Sequence, residues 1–281
     1  MAGVFWHDGK WSEEQPKLTG PMDHAFWMST VVFDGARSFQ GMAPDVDQHC
    51  ERLIKSAKSM LLEPKFAAEE VAKLCVEGVR KLPKESELYI RPMFFAREGF
   101  VLPDPETTDF VLAIYDTPLP PANGFTACFS SYRRPARDMA PTDAKASCLY
   151  PNSQRALREA ANRGFDNAIV LDPNGNVAEF ASANIWIAKD GVAMTPAWNG
   201  TFLNGITRQR IIQLLKDDGV EVQETTITPQ DVRDADEVFN TGNYGKVVPV
   251  VKLEDRDLQP GPVARRAREL YFEYANSAQL F

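Results

Sequence analysis

Apolar positions in this 281-residue chain alternate between two spacings, and each change of spacing marks a new element. Over residues 45–62, Leu53, Ile54, Ala57, Met60 and Leu61 recur at the spacing of an amphipathic helix, with Asp45 or Asp47 available as its cap. A second helix is expected over 67–82, where Pro83 stops it. Further helices are expected over 152–163, with Gly164 as C-cap, over 206–217 and over 262–275, with a helical turn at 229–234. β-Branched and aromatic runs predict a hairpin at 4–11, turned by Asp8-Gly9, and strands at 30–33, 87–96, 108–115 and 125–132. More strands are expected at 167–171, 183–188, 220–226 and 237–241. The proline-rich run at 116–124 is the best boundary in the chain. It suggests two α/β domains, a small one over 1–118 and a larger one over 125–281, with 119–124 as linker.

Composition narrows the class. Hydrophobic residues at 44% and charged residues at 25% suit a globular chain able to build its own core. A net charge of -8 argues against a nucleic-acid partner, although it leaves room for a local basic pocket. Cys50, Cys75, Cys128 and Cys148 form no CxxC pair, and His7, His24 and His49 add no metal-ligand spacing, so buried free thiols and no metal are expected. The first residues lack a signal-peptide pattern and no run suits a bilayer, so a cytoplasmic location without a membrane partner is expected.

Three segments carry candidate chemistry. Gly205 precedes Ile206 and Thr207 at the start of an apolar-periodic helix, where free N–H groups and the positive end of the helix dipole suit a phosphate. Lys145 stands among small and apolar residues, with Tyr150 five positions on. A lysine in an apolar pocket loses basicity and becomes a nucleophile toward carbonyls. Glu179 lies at the end of a hairpin strand among small residues. Read singly, these are a capping residue, a surface lysine and a salt-bridge partner.

Together they carry a resemblance that spans nearly the whole chain. It takes in the hairpin of residues 5–9, Met22 to Ala25, Val32-Phe33-Asp34-Gly35-Ala36-Arg37, His49 with Arg52 and Leu53, and Tyr89-Ile90-Arg91-Pro92. It continues through Ala144-Lys145, Glu179, Asn184, Gly205 to Arg208 and Ala235 to Val238. The chain resembles the class IV (fold-type IV) pyridoxal-phosphate aminotransferases, and among them the branched-chain amino acid aminotransferases. The resemblance implies a two-domain α/β (α+β) fold with a small N-terminal domain and a larger barrel-like C-terminal domain, and pyridoxal 5'-phosphate as cofactor. It implies Lys145 as the Schiff-base lysine, Glu179 at the pyridinium nitrogen and Tyr150 at the phenolate oxygen. Arg52, Ile206 and Thr207 are implied at the phosphate, with Asn184 and Asn243 as further cofactor contacts. Phe33, Tyr89, Arg91, Met28 and Tyr244 are implied at the substrate. An amino donor, a 2-oxo acid acceptor and a homodimer are the implied partners.

Several positions depart from that pattern. Met28 stands where the branched-chain enzymes carry a pocket tyrosine, Phe180 where glycine is usual, and Ala183 where an acidic residue is. Gly242 to Gly245 replaces a Gly-Thr-Ala turn, and Tyr244 is expected to reshape the pocket wall. The interdomain segment is shorter. Arg133, Arg134 and Arg137 read as solvated arginines, with a substrate carboxylate as the alternative for one of them. Three readings stay open: a transaminase for branched-chain or other apolar L-amino acids, one of the same fold for D-amino acids or (R)-amines, and last an aminodeoxychorismate-type lyase.

Overall fold

Asp8 and Gly9 take positive φ values of 48° and 75°, and so close the hairpin of β1 (Gly3–His7) and β2 (Lys10–Ser12) as the sequence requires. The computed structural model describes residues 3–277. By their contacts these fall into two units: 3–119 with 143–149 and 275–277, and 120–142 with 150–274.

In unit one a short helix α1 (His24–Trp27) precedes β3 (Val31–Phe33) and β4 (Ala36–Ser38). Helices α2 (Val46–Ser59) and α3 (Ala68–Val79) follow, then β5 (Leu88–Ala96) and β6 (Thr108–Asp116). The strands form one antiparallel sheet in the order β2-β1-β6-β5-β3, with β4 also on β5. Alternation along each strand gives the sheet two faces. Val4, Leu88, Ile90, Phe94, Phe110, Leu112 and Ile114 pack with Cys50, Leu53, Ala57, Val71, Cys75 and Val79 of the two helices in one buried core. Tyr89, Arg91, Met93, Ala113 and Tyr115 alternate with these residues and so share the other face.

Asp45 occupies the N-cap position of α2, where its carbonyl accepts from the His49 N–H at 3.1 Å, but its side chain caps nothing. The residue takes a left-handed φ of 57°, and its Oδ1 accepts from Gln48 Nε2 at 3.0 Å. The periodicity located the helix and its cap position, but the Asp45 carboxylate bonds Gln48 rather than a helix N–H.

In unit two β7 (Phe125–Arg133) is followed by α4 (Tyr150–Asn162), β8 (Asn167–Leu171), β9 (Val177–Phe180), β10 (Asn184–Lys189) and β11 (Val192–Pro196). Then come α5 (Ile206–Asp217), β12 (Val222–Thr225), α6 (Pro229–Asp234), β13 (Glu237–Gly242), β14 (Lys246–Leu253), β15 (Arg256–Asp257) and α7 (Pro262–Ser277), which belongs to this unit through residue 274. The sheet order is β12-β11-β10-β13-β14-β7-β8-β9, with β15 on β14. Its parallel pairs are β11 with β12, and β7 with both β14 and β8.

Sequence reading missed β11 and β14. Pro249 argues against an interior strand because it removes a ladder donor. In the fold it pairs with Phe239, and the register of β14 against β7 shifts nearby, between Val250 and Lys252. All four cysteines are free thiols, with Cys50, Cys75 and Cys128 buried. Among the described residues, no helix is long and apolar enough to cross a membrane.

Candidate active site

In unit one, neighbouring residues fix Lys145 in place. Ala144 and Ala146 are fully buried in the core, so the intervening side chain of Lys145 turns the other way. The Lys145 N–H donates to Ser56 Oγ on α2 at 3.0 Å, its carbonyl accepts from the Phe33 N–H at 3.1 Å, and Ala146 bridges to Val32. The half-buried side chain carries Nζ to 4.9 Å from the centroid of the Phe33 ring. An amine on a backbone pinned in this way is positioned like an active-site nucleophile.

Arg52, on α2, donates twice to Asp34: Nε to Oδ2 at 2.7 Å and Nη2 to Oδ1 at 2.8 Å. His49 Nδ1 lies 2.6 Å from the same Oδ1. Burial of Asp34 pushes its carboxyl up. The charges of Arg52 and His49 and their hydrogen bonds outweigh that and hold it well below the usual carboxylate range. This is a bidentate, charge-assisted pair with a third partner. Asp34 and His49 were only motif letters in the sequence. The signal that singles out His49 is its i,i+3 spacing to Arg52, which puts both on one face of α2.

On the open face of the same sheet, the Arg91 guanidinium lies 5.1 Å from the ring centroids of both Tyr89 and Tyr115 and donates to Tyr115 Oη. The two tyrosines are cross-strand partners and stack at 5.6 Å. Burial pushes the Tyr115 hydroxyl up against the opposing charge of Arg91. A cleft of about 430 Å³ opens here, lined by Phe5, Glu13, Gln15, Arg91, Met93 and Tyr115. Tyr115 was not singled out from sequence, because its link to Arg91 exists only through the pairing of β5 with β6. Met28 is exposed at the end of α1, in the same segment as the exposed Met22, Phe26 and Trp27.

In unit two, Glu179 sits on β9 opposite Val170, with Arg134 Nε 3.3 Å from its Oε1. Both side chains are largely buried, at 10% exposure for Arg134 and 13% for Glu179. Arg134 also donates to the Thr201 carbonyl at 2.9 Å. The expectation of a solvated arginine is therefore corrected for Arg134, whereas Arg133 and Arg137 are exposed. Tyr150 opens α4 and is half-buried.

The start of α5 is built for an anion. Gly205 occupies the N-cap in extended backbone, no side chain caps the helix, and its first turn holds no acidic residue. Ile206 and Thr207 are buried there. A Cβ at position 205 would collide with Asn184 Oδ1, so a larger residue there would displace that buried amide. Asn184 itself donates to the Leu203 carbonyl at 3.0 Å and pairs with Thr241 across β10 and β13. Arg208, fully buried, anchors this corner through Asn204 Oδ1, the Pro196 carbonyl and Glu224 Oε2, each at 2.8 Å. The sequence offered Arg208 as a motif residue without a role.

After Thr241 the chain turns at Gly242, where a Cβ would stand 3.2 Å from that of Ala183. Asn243 Nδ2 is buried and has no hydrogen-bond partner, while its Oδ1 accepts from Lys246 Nζ at 2.9 Å. Tyr244 is 57% exposed. An uncapped helix start and an orphaned amide donor are both features that suit a phosphate.

The chain matches the amino-transferase class IV family model over residues 31–253. It is 34% identical to a probable branched-chain-amino-acid aminotransferase of Aquifex aeolicus, over 89% of this chain and 85% of that one. It is also 34% identical to a branched-chain-amino-acid aminotransferase of Pseudomonas aeruginosa, over 96% and 92%. Among solved structures, an aminotransferase from Brucella abortus bound to pyridoxal phosphate is 45% identical, with a TM-score of 0.97 over 99% of this chain and 100% of that one.

Proposed function

We propose that this chain, which belongs to the class IV aminotransferases and is a fold-type IV, pyridoxal-phosphate-dependent transaminase, carries its cofactor on Lys145 and uses a branched-chain or other apolar amino acid as donor to a 2-oxo acid. The observation that carries the reading is Lys145 itself. Its backbone is pinned by Ser56 and Phe33, and its amine is half-sheltered over an aromatic ring. Bound pyridoxal phosphate supplies the electron sink that makes the substrate Cα–H acidic.

The chain's own residues do the rest. The Lys145 amine would take the proton from the substrate Cα and deliver it to C4′, as a positioned general base must. Glu179 offers a carboxylate to the ring nitrogen, and Arg134 holds its Oε1 in place. Tyr150 donates to the ring oxygen. Arg52, oriented by Asp34, contacts the phosphate, as do the N–H groups of Ile206 and Thr207, with Asn184 and Asn243 beside them. The residues present fit that anionic group, since the helix start is uncapped and Asn243 Nδ2 lacks a partner. Phe33, Tyr89 and Arg91 take the substrate, and Arg91 offers its guanidinium to a carboxylate at the cleft it lines with Phe5, Met93 and Tyr115. Met28 and Tyr244 complete the substrate contacts.

We take residues 1–118 and 125–281 as the two domains, with 119–124 as linker. We read the enzyme as a cytoplasmic homodimer. Met22, Phe26, Trp27, Phe100, Val101 and Leu102 of unit one expose apolar side chains, with Trp27 and Phe100 rings 5.6 Å apart, as an interface would need.

Two measurements test the reading. Borohydride treatment should bleach the visible band of the purified protein and fix the cofactor to the peptide containing Lys145. A panel of L- and D-amino acids and (R)-amines, with pyruvate and 2-oxoglutarate as acceptors, should favour apolar L-amino acids. Preference for D-amino acids or (R)-amines would replace the substrate reading, and a colourless protein that takes up no pyridoxal phosphate would overturn the cofactor site.

A further inference from the structure

The turn from β13 into β14 holds a second lysine, Lys246, that the transamination chemistry does not use. It is 1% exposed and takes a positive φ of 64°, a conformation that is unfavourable for a residue with a side chain. Its Nζ lies 5.2 Å from the centroid of the Tyr271 ring on α7 and donates to Asn243 Oδ1 at 2.9 Å. An ammonium has donors and no acceptor, so it bonds only the oxygen end of an amide. Lys246 therefore decides which end of Asn243 is which. The end left over is Nδ2, the buried donor without a partner.

The surroundings of the turn favour an anion as that missing partner. Residues 239–253 contain no acidic side chain, in a chain whose net charge is -8. Arg268 brings another cation to the same turn, donating from Nη1 to the Gly245 carbonyl at 3.1 Å and to the Val247 carbonyl at 2.7 Å. A neutral acceptor would satisfy Nδ2 alone, whereas a phosphate oxygen would satisfy it and lie in the field of a buried ammonium. We propose that Lys246 is a positioning residue for anion binding, which holds Asn243 Oδ1 so that Nδ2 is presented to a phosphate monoester. This rests on Asn243 being a phosphate contact, as read above.

The test measures binding rather than turnover. Pyridoxal phosphate is titrated into apoprotein, and thermal protection of the apoprotein by inorganic phosphate is followed alongside. Lys246→Met keeps a linear side chain against Tyr271 and removes the donors. It should weaken cofactor binding about ten- to a hundredfold and reduce the phosphate protection. Asn243→Ala should weaken binding by a similar factor, and the double variant by no more than the single ones, because Lys246 acts through Asn243. Wild-type affinity in Lys246→Met, or effects that multiply in the double variant, would overturn the proposal.

Should Lys246→Met fail to fold, Asn243→Asp decides. It keeps an acceptor for Lys246 and replaces the donor by a second oxygen, so the folded variant should lose phosphate and cofactor affinity by tenfold or more; undiminished affinity would overturn the proposal. A wild-type protein that takes up no pyridoxal phosphate sinks the underlying reading as well. A wild type that binds it on Lys145, with Lys246→Met unchanged, sinks this inference alone.

Discussion

The candidate groups of the two units solve opposite problems. In unit one the charged groups come with partners: Asp34 is held by Arg52 and His49, and Arg91 lies beside the stacked Tyr89 and Tyr115. In unit two some donors are left open: the start of α5 has no side-chain cap, and Asn243 Nδ2 is buried without a partner. A closed network fixes the geometry of a charge and contributes to stability before any ligand arrives. An open donor lowers stability until an acceptor arrives, so its energy appears as affinity. Substitutions in the closed Asp34 network should thus register in the folding of the apoprotein, and substitutions at the open donors in ligand binding. Lys145 and Glu179 should register in turnover.

The largest effect should come from Lys145→Ala. Proton transfer by a positioned base contributes up to about 10⁴-fold, so turnover should fall by at least that order while the fold survives. Near-normal turnover measured in this variant would remove Lys145 from the chemistry. Next comes Glu179→Gln. It exchanges the anion at the ring nitrogen for a neutral amide and should lower kcat on the order of 10²- to 10³-fold, with the cofactor still bound. If kcat barely moves, another carboxylate serves the ring.

Asp34→Asn tests the closed network. Removing one partner of a buried pair costs about 3–5 kcal/mol, which a urea titration of the apoprotein at pH 7 should show. The pH dependence has a definite sign. The folded-state pKa of Asp34 lies below its unfolded value, so its contribution is present above about pH 4 and is lost as pH falls through the folded value. The stability gap between wild type and variant should therefore narrow in acid. A constant gap would mean that the pair contributes nothing through its charge.

The smallest effect should come from Tyr115→Phe, which removes the hydroxyl that accepts from Arg91 and keeps the stacked ring. One such hydrogen bond is worth about 1 kcal/mol, so KM for a dicarboxylate acceptor should rise roughly fivefold with kcat little changed. Equal effects on 2-oxoglutarate and pyruvate would show that Arg91 reads no distal carboxylate.

What the sequence by itself determined was the local part. The helical spacing of Leu53, Ile54 and Ala57 marks α2, Asp8-Gly9 marks the first turn, and Gly205 before Ile206-Thr207 marks the start of α5. These signals lie within a few residues of one another, where backbone geometry and periodicity act. The motif run from Val32 to Arg208 added Lys145, Glu179 and Arg52 as candidates through resemblance. Tertiary structure alone decided the partners. It grouped residues 143–149 with the first unit and gave Arg134 to Glu179. It paired Arg52 with Asp34 across 18 positions and set Tyr115 under Arg91 across 24. It also set local signals aside: Asp45 holds the N-cap position of α2 in a left-handed turn without a side-chain cap, and Pro249 was accepted inside β14. A partner reached through a sheet register or a helix packed on a core leaves no period in the chain, because the contact depends on how distant segments fold together rather than on what stands beside each residue.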